Sequence, residues 1–219
     1  MNPQLACDMI ARGALLAGMR GHFPPEIALP LVEVLVDEGI CALEFTMNST
    51  RPLEALQAAK KAFGDRIVAG MGTILDPDTA KRALDAGADF VIAPSFQRAT
   101  VEAVHAAGAL TIPGVITPTE AVDAWQMGCR MLKIFPIGSL GLDYFKAVRA
   151  PLNQIPFLCN GGMTDKTIAD YLRAGAVGCG LLGYLTGYGT WPLDKVRERA
   201  RLLVGIVAAV RAEKPPQQD

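Results

Sequence analysis

The sequence lacks the features that mark membrane-bound, secreted and nucleic-acid-binding proteins. Its apolar stretches are too short to span a bilayer, and Asp8 and Arg12 interrupt the segment in which a signal peptide needs an apolar core. Basic and acidic residues are nearly balanced, at 21 and 22, with no basic patch. We therefore expect a cytoplasmic protein that has neither a membrane nor a nucleic acid as its partner.

Cysteine and histidine are too scattered for the usual disulfide and metal patterns. The 5 cysteines are odd in number and lie singly among apolar residues, which is typical of reduced thiols in a core. His22 and His105 are the two histidines, and neither stands near a second typical ligand in the sequence, which argues against a zinc site. The absence of a glycine-rich serine elbow argues against a histidine-based catalytic triad.

Glycine, by contrast, recurs in a regular way. It stands where an amphipathic segment ends and an apolar run begins, with spacings of 25, 23, 21 and 20 residues and then 47, which is two units. Glycine suits the left-handed turn just past the end of a helix, so each unit is predicted to be one helix followed by one strand. The glycines concerned are Gly39, Gly64, Gly87, Gly108, Gly128 and Gly175.

The apolar runs predict eight short strands separated by amphipathic helices. The predicted strands cover residues 14–20, 42–47, 67–73, 90–95, 110–115, 131–135, 157–160 and 177–182. Eight alternating units favour an α/β fold, an eight-stranded parallel (β/α) TIM barrel with an extra N-terminal helix at residues 3–12. An open doubly wound sheet is the alternative, because periodicity alone does not prove closure.

The chain contains no linker that would divide it. Its 219 residues, 51% of them hydrophobic, are enough for one large core. We therefore expect a single barrel domain over residues 1–213 and a flexible C-terminal tail over residues 214–219.

One predicted strand carries a lysine in its middle. Lys133 stands between Leu132 and Ile134 in an apolar run, where an unpaired ammonium group is costly to desolvate. Burial lowers the pKa of a lysine and leaves a nucleophile that condenses with a carbonyl as a Schiff base. The alternative is that the side chain reaches out from the end of the strand and has no chemical role.

Other chemistry-bearing residues stand at strand ends, where barrel enzymes place their active sites. Glu44 lies inside a strand that should be buried, so its carboxyl group should be paired or have a raised pKa. With Lys133 it forms either a catalytic pair or only a structural ion pair. Phe135 faces the same side of its strand as the lysine and either walls the pocket of the amine or simply fills the core.

Two further strand ends and two glycine loops complete the set. Arg20 and Thr73 end the first and third predicted strands, and they are either site residues or ordinary strand-end and turn residues. Gly161 and Gly162 follow the seventh strand and Gly183 the eighth. Backbone N–H groups at these positions suit an anion such as phosphate, although a two-glycine loop is also a common turn.

Five stretches together resemble the 2-keto-3-deoxy-6-phosphogluconate (KDPG) / 4-hydroxy-2-oxoglutarate (KHG) aldolase family, over essentially the whole chain. They are MRG at residues 19–21, LEFTMNS at 43–49, GMGTIL at 70–75, LKIFP at 132–136 and NGG at 160–162. The resemblance implies a homotrimeric barrel enzyme without a metal or cofactor, whose partner is a small keto-deoxy sugar acid phosphate.

The resemblance also implies roles for individual residues. Lys133 forms the imine and Glu44 shuttles protons, while Arg20 and Thr73 surround the carboxylate and the glycine loops hold the phosphate. The substrate-binding residues that we expect are Arg20, Thr73, Pro94, Phe135, Gly161, Gly162 and Gly183.

Three positions depart from the family pattern. Asn48 stands where phosphogluconate-type members often have arginine, and together with Arg20 this is more similar to the phosphogalactonate-type aldolases. Asn160, directly before the glycine pair, matches neither type. Gly183 replaces a serine that is often found in the last phosphate loop, so the N–H is kept and a hydroxyl is lost.

The function implied is that of a class I aldolase. It would cleave a 2-keto-3-deoxy-6-phosphoaldonate, of phosphogalactonate or phosphogluconate type, to pyruvate and glyceraldehyde 3-phosphate. The alternatives are a 4-hydroxy-2-oxoglutarate aldolase, a sugar-phosphate isomerase or synthase that uses Lys133 and Glu44 as acid and base, and a non-catalytic phosphometabolite binder on the same barrel.

Overall fold

A parallel sheet, rolled into a nearly closed barrel and surrounded by helices, organises the protein. The structure, a computed structural model, describes residues 1–213, so the predicted tail at 214–219 lies outside the described residues. The strands run in the order β5-β4-β3-β2-β1-β9-β8-β7-β6, with every neighbouring pair parallel. They are β1 (Leu15–Met19), β2 (Ala42–Thr46), β3 (Val68–Gly72), β4 (Phe90–Ile92), β5 (Leu110–Ile112), β6 (Gly114–Val115), β7 (Leu132–Ile134), β8 (Phe157–Asn160) and β9 (Gly178–Leu181).

The described residues form nine strands where the sequence predicts eight. The predicted strand at residues 110–115 is divided at Pro113, and β5 pairs with β4 whereas β6 pairs with β7. Proline has no N–H to donate to a ladder, but its carbonyl accepts a hydrogen bond of 2.9 Å from the N–H of Lys133. Since β5 and β6 are the two edges of the sheet and one residue apart, the chain itself joins these edges.

The helices follow the predicted alternation closely. They are α1 (Pro3–Gly13), α2 (Pro25–Asp37), α3 (Pro52–Phe63), α4 (Pro77–Asp85), α5 (Arg98–Ala106), α6 (Pro118–Gln126), α7 (Ile137–Leu140), α8 (Leu142–Arg149), α9 (Ile168–Arg173), α10 (Gly183–Thr186) and α11 (Leu193–Glu213). Five of these helices begin with proline. Proline suits the first turn of a helix because an N–H at that position would have no partner within the helix. All six glycines of the repeat have positive φ, from 53° to 98°, a backbone conformation that glycine adopts more readily than other residues.

Two apolar clusters form the core, one on each face of the sheet. The larger lies between the strands and the outer helices, and the smaller fills the barrel interior. The interior cluster includes Ala6, Cys7 and Ile10, which α1 inserts against the interior residues Leu16 and Ala42 near the starts of β1 and β2. Helix α1 therefore covers the end of the barrel at which the strands begin.

Two further observations concern the cysteines and the length and polarity of the helices. All five cysteines are free thiols, and four of them are buried, as the sequence predicts. Within residues 1–213 each helix is either too short or too polar to cross a lipid bilayer.

Candidate active site

Strand alternation directs Lys133 into the barrel. Its neighbours Leu132 and Ile134 belong to the outer cluster, whereas Met131, two residues earlier, belongs to the interior cluster. The lysine is only 3% exposed, and its Nζ lies 4.8 Å from the centroid of the Phe135 ring. The side chain therefore does not reach out into solvent, which was the alternative that the sequence left open.

The surroundings of this amine favour its neutral form. Burial lowers the pKa of Lys133, the nearby Arg20 guanidinium lowers it further, and the Glu44 carboxylate opposes both effects by raising it. A lysine with a lowered pKa is more often unprotonated, and only the unprotonated amine can attack a carbonyl carbon. The site can thus supply a nitrogen nucleophile.

Glu44 faces the interior from β2 and is 1% exposed. Neither carboxyl oxygen has a hydrogen-bond partner within the described part of the chain, and Lys133 Nζ lies beyond the 4.0 Å limit of an ion pair. Gly72 on the adjacent β3 makes room for this side chain, because a Cβ at Gly72 would overlap the carboxyl group. The pair is therefore no direct structural ion pair, and an unpartnered acid group stands inside the barrel.

Arg20 and Thr73 meet across the carboxyl ends of β1 and β3. Arg20 Nη2 donates to Thr73 Oγ1 at 3.3 Å, while the buried Nε of Arg20 has no partner among residues 1–213. Thr73 has a φ of 61°, in the left-handed region that β-branched residues rarely adopt. Strained residues of this kind cluster at functional sites, and a guanidinium with a free donor suits a carboxylate.

The two predicted glycine loops lie at the same end of the barrel. Gly161 and Gly162 have φ values of 90° and 81°, and the carbonyl of Gly161 accepts a hydrogen bond of 2.8 Å from the N–H of Gly138 in α7. Gly183 begins α10 directly after β9. The short helices α7 and α10, which the strand and helix pattern of the sequence does not predict, therefore help to shape these two loops.

A cavity of about 270 Å³ joins most of these residues. It is lined by Arg20, Lys133, Phe135, Asn160, Gly161, Gly162, Met163, Thr164, Gly180, Leu182, Gly183, Tyr184 and Tyr188. The predicted residues Glu44, Thr73 and Pro94 are not in this lining. The Glu44 carboxylate raises the pKa of Lys133, which does line the cavity, and Thr73 accepts a hydrogen bond from Arg20, which lines it too. The backbone of Pro94 packs against Gly114.

The cavity lining also contains residues that are absent from the substrate-binding set predicted above. Asn160 is 0% exposed, and neither its amide nitrogen nor its amide oxygen has a partner within residues 1–213. Gly180 on β9 leaves space for it, since a Cβ there would overlap the amide. A polar residue at a strand end, directly before a glycine pair, is the signal that could have identified Asn160, whereas nothing in the sequence pattern singles out Tyr184 or Tyr188.

Comparison with known proteins identifies the family of this chain. The family model for KDPG and KHG aldolases matches residues 23–195. The chain belongs to this aldolase family. The enzyme is 33% identical over 168 residues to 2-dehydro-3-deoxy-6-phosphogalactonate aldolase of Escherichia coli (strain K12), covering 76% of this chain and 82% of that protein.

Two further matches point the same way. The enzyme is 30% identical over 155 residues to the KHG/KDPG aldolase of Escherichia coli (strain K12), which covers 70% of this chain and 72% of that one. Among solved structures, one described as native KDPGal superimposes with a TM-score of 0.85 at 29% identity, covering 90% of this chain and 96% of that chain. The nearly closed parallel barrel is thus shared with the family.

Proposed function

We propose that the enzyme is a class I aldolase that cleaves a 2-keto-3-deoxy-6-phosphoaldonate, of phosphogalactonate or phosphogluconate type, to pyruvate and glyceraldehyde 3-phosphate. The observation that carries this proposal is Lys133: a buried amine with a lowered pKa at the wall of a cavity of about 270 Å³. A lysine that merely stabilised the fold would be expected to have an ion-pair partner, and this one has none within 4.0 Å among residues 1–213.

The reaction begins when the neutral amine of Lys133 attacks the keto carbon of the substrate. Loss of water from the resulting carbinolamine gives an iminium ion, which is an electron sink. The bond between the third and fourth carbons then breaks as the 4-hydroxyl loses its proton, and glyceraldehyde 3-phosphate leaves. The enamine of pyruvate that remains on the lysine is protonated and hydrolysed.

Glu44 is our candidate for the proton transfers in this sequence. It would act through water, first in forming and dehydrating the carbinolamine and then as the acceptor of the 4-hydroxyl proton. Its support is that both oxygens are buried without a partner in the described chain and that its charge acts on Lys133. Because Glu44 does not line the cavity itself, a water molecule between the carboxylate and the substrate fits this arrangement better than direct contact.

The remaining residues would orient the substrate. The fork of Arg20, held from one side by Thr73, suits the carboxylate next to the keto carbon. The amide of Asn160 can donate and accept at the same time, which suits a hydroxyl of the sugar acid chain. The loops at Gly161–Gly162 and Gly183 would hold the phosphate through backbone N–H groups.

The test is the release of pyruvate by the purified enzyme, measured with a coupled dehydrogenase. We expect pyruvate from a phosphogalactonate-type or phosphogluconate-type substrate, and none from the Lys133→Ala variant. Lys81→Ala is a matched control, since Lys81 is exposed on α4. An isomerised product without pyruvate, or full activity of Lys133→Ala, would overturn the proposal.

The same assay tests a second candidate function, the cleavage of 4-hydroxy-2-oxoglutarate. The family model and the KHG/KDPG relative both include the KHG name, which favours testing this phosphate-free substrate. We expect slower cleavage, because the glycine loops would then have no phosphate to bind.

We also propose that the enzyme is a cytoplasmic homotrimer, and that residues 1–213 form one domain with eight barrel units. The support for the trimer is the resemblance of the sequence to the family, and sedimentation of the purified enzyme measures it. The support for eight units is that β5 and β6 are separated by Pro113 alone.

A further inference from the structure

Tyr188 occupies an unusual place above the cavity. It lies in the short 3₁₀ segment Gly187–Gly189, after α10, with φ of 56° and ψ of 23°. An aromatic residue seldom adopts this left-handed conformation, which glycine would adopt without strain. The chain keeps a large side chain here nonetheless, so the position of that side chain needs a physical reason.

The ring of Tyr188 fills the space that a side chain at position 183 would occupy. A Cβ at Gly183 would overlap the ring at Cζ, the carbon that bears the phenolic hydroxyl. The hydroxyl of Tyr188 therefore stands near the place that a short side chain at position 183 would reach. A side chain at position 183 and the ring of Tyr188 therefore cannot occupy this space at the same time.

The backbone of Tyr188 is fixed from the opposite side of the cavity mouth. Its carbonyl accepts a hydrogen bond of 3.2 Å from the N–H of His22. Gly21 packs against the same carbonyl, since a Cβ there would lie 2.8 Å from the oxygen. The segment thus connects the loop after β9 to the loop after β1, which carries Arg20.

The other hydroxyl groups of the cavity lining are already engaged. Three lining residues carry a hydroxyl: Thr164, Tyr184 and Tyr188. The hydroxyl of Tyr184 accepts a hydrogen bond from Arg199, and that of Thr164 lies 3.4 Å from the Thr167 hydroxyl. Tyr188 is 57% exposed, and its hydroxyl has no hydrogen-bond partner within residues 1–213.

The charged side chains of the cavity lining are assigned to the other end of the substrate, so the phosphate has to be bound by neutral hydrogen-bond donors. Within residues 1–213, Arg20 and Lys133 are the charged residues of the lining, and the proposed reaction uses both at the carboxylate and keto carbon. We propose that the Tyr188 hydroxyl binds the substrate phosphate, next to the glycine loops, and determines selectivity for phosphorylated substrates. This role rests on the proposed function, and the first test below therefore includes a measurement that needs no turnover.

The first test compares wild type with Tyr188→Phe, which keeps the ring and removes only the hydroxyl. Losing a hydrogen bond to a charged group should lower kcat/KM for the phosphoaldonate about 10-fold, mainly through KM. The loss for 4-hydroxy-2-oxoglutarate, which has no phosphate, should be much smaller, and calorimetry should show weaker binding of inorganic phosphate. Equal effects on the two substrates, or unchanged phosphate binding, would overturn the role of the hydroxyl.

The calorimetric measurement separates two kinds of failure. If wild type cleaves none of the substrates, the proposed function fails, but weaker phosphate binding by Tyr188→Phe would still support the binding role. If wild type cleaves the phosphoaldonate and Tyr188→Phe binds phosphate as wild type does, only the role of Tyr188 fails.

Two further variants test whether a side chain at position 183 competes with the ring of Tyr188 for the same space. Gly183→Ser alone should weaken phosphate binding, because its Cβ displaces the ring. Gly183→Ser combined with Tyr188→Gly should recover part of the loss, since the serine then supplies a hydroxyl near the same place. A double variant no better than Gly183→Ser would contradict this competition, provided that its circular dichroism spectrum matches that of wild type.

Discussion

The two ends of the barrel are built from the same strands and differ in how they treat polar atoms. Where the strands begin, Ile10 of α1 packs with apolar interior residues such as Leu16, and the buried carboxylate of Asp89, directly before β4, is paired with Lys60 at 2.6 Å. Where the strands end, polar side chains fill the interior instead. Among the described residues, six buried side-chain nitrogen or oxygen atoms lack a partner, and five of them belong to Arg20, Glu44 and Asn160.

The carboxyl end of the barrel is therefore less stable than it could be, and its unpartnered polar atoms are available for chemistry. A buried polar atom without a hydrogen bond costs about 1–3 kcal/mol, so the carboxyl end is a poor solution for folding alone. The same atoms become useful when a substrate with a carboxylate, a ketone and hydroxyl groups enters the cavity. Removing a polar group at the carboxyl end should therefore lower activity and raise stability. Truncating an apolar side chain at the other end should lower stability and leave activity nearly unchanged.

The largest effect is expected at Lys133. Lys133→Met removes the nucleophile and should abolish pyruvate release. It should also raise the free energy of unfolding by about 0.5–2 kcal/mol, because an apolar side chain of similar length needs no desolvation of an amine. Urea unfolding and the coupled assay measure the two effects. A variant that is both inactive and less stable would contradict the contrast between the ends.

Glu44→Gln should produce the next largest effect. The amide keeps the shape of the side chain but cannot take up a proton, so kcat should fall about 10²- to 10⁴-fold with little change in KM. Steady-state kinetics on the phosphoaldonate measures this change. Unchanged turnover would exclude Glu44 from the proton transfers.

Ile10→Ala tests the opposite end. Ile10 is buried in the interior cluster, so truncation should lower the free energy of unfolding by about 2–5 kcal/mol. Because α1 is remote from the cavity lining, kcat/KM of the folded fraction should stay near that of wild type. A large loss of kcat/KM with little loss of stability would show that the two ends are not independent.

The smallest effect concerns pH. Since the pKa of Lys133 is lowered in the folded protein, the unfolded chain binds more protons between that pKa and the ordinary lysine value of about 10.4. The cost of burying Lys133 is therefore full below its folded pKa and shrinks as pH rises through this window. The stability advantage of Lys133→Met over wild type should shrink in parallel, as urea unfolding at increasing pH would show. An advantage that grows with pH would have the wrong sign.

Local sequence patterns predicted most of the fold and the burial of Lys133 and Glu44. The glycines after each helix and the apolar runs are properties of short segments, and Lys133 stands out because its own strand is apolar. The division at Pro113 escaped prediction because it depends on β5 and β6 pairing with different neighbours. The unpartnered amide of Asn160 and the ring of Tyr188 above Gly183 could not be predicted, because both exist only once distant segments meet.

Covalent trapping of pyruvate is the decisive test of Lys133 as the imine-forming residue. Wild type should be incubated with pyruvate and borohydride, and the modified peptide identified by mass spectrometry. The account predicts one reduced pyruvate per chain, attached to Lys133, and no adduct on Lys133→Ala. An unmodified wild-type enzyme, or an adduct on another lysine that persists in Lys133→Ala, would contradict it.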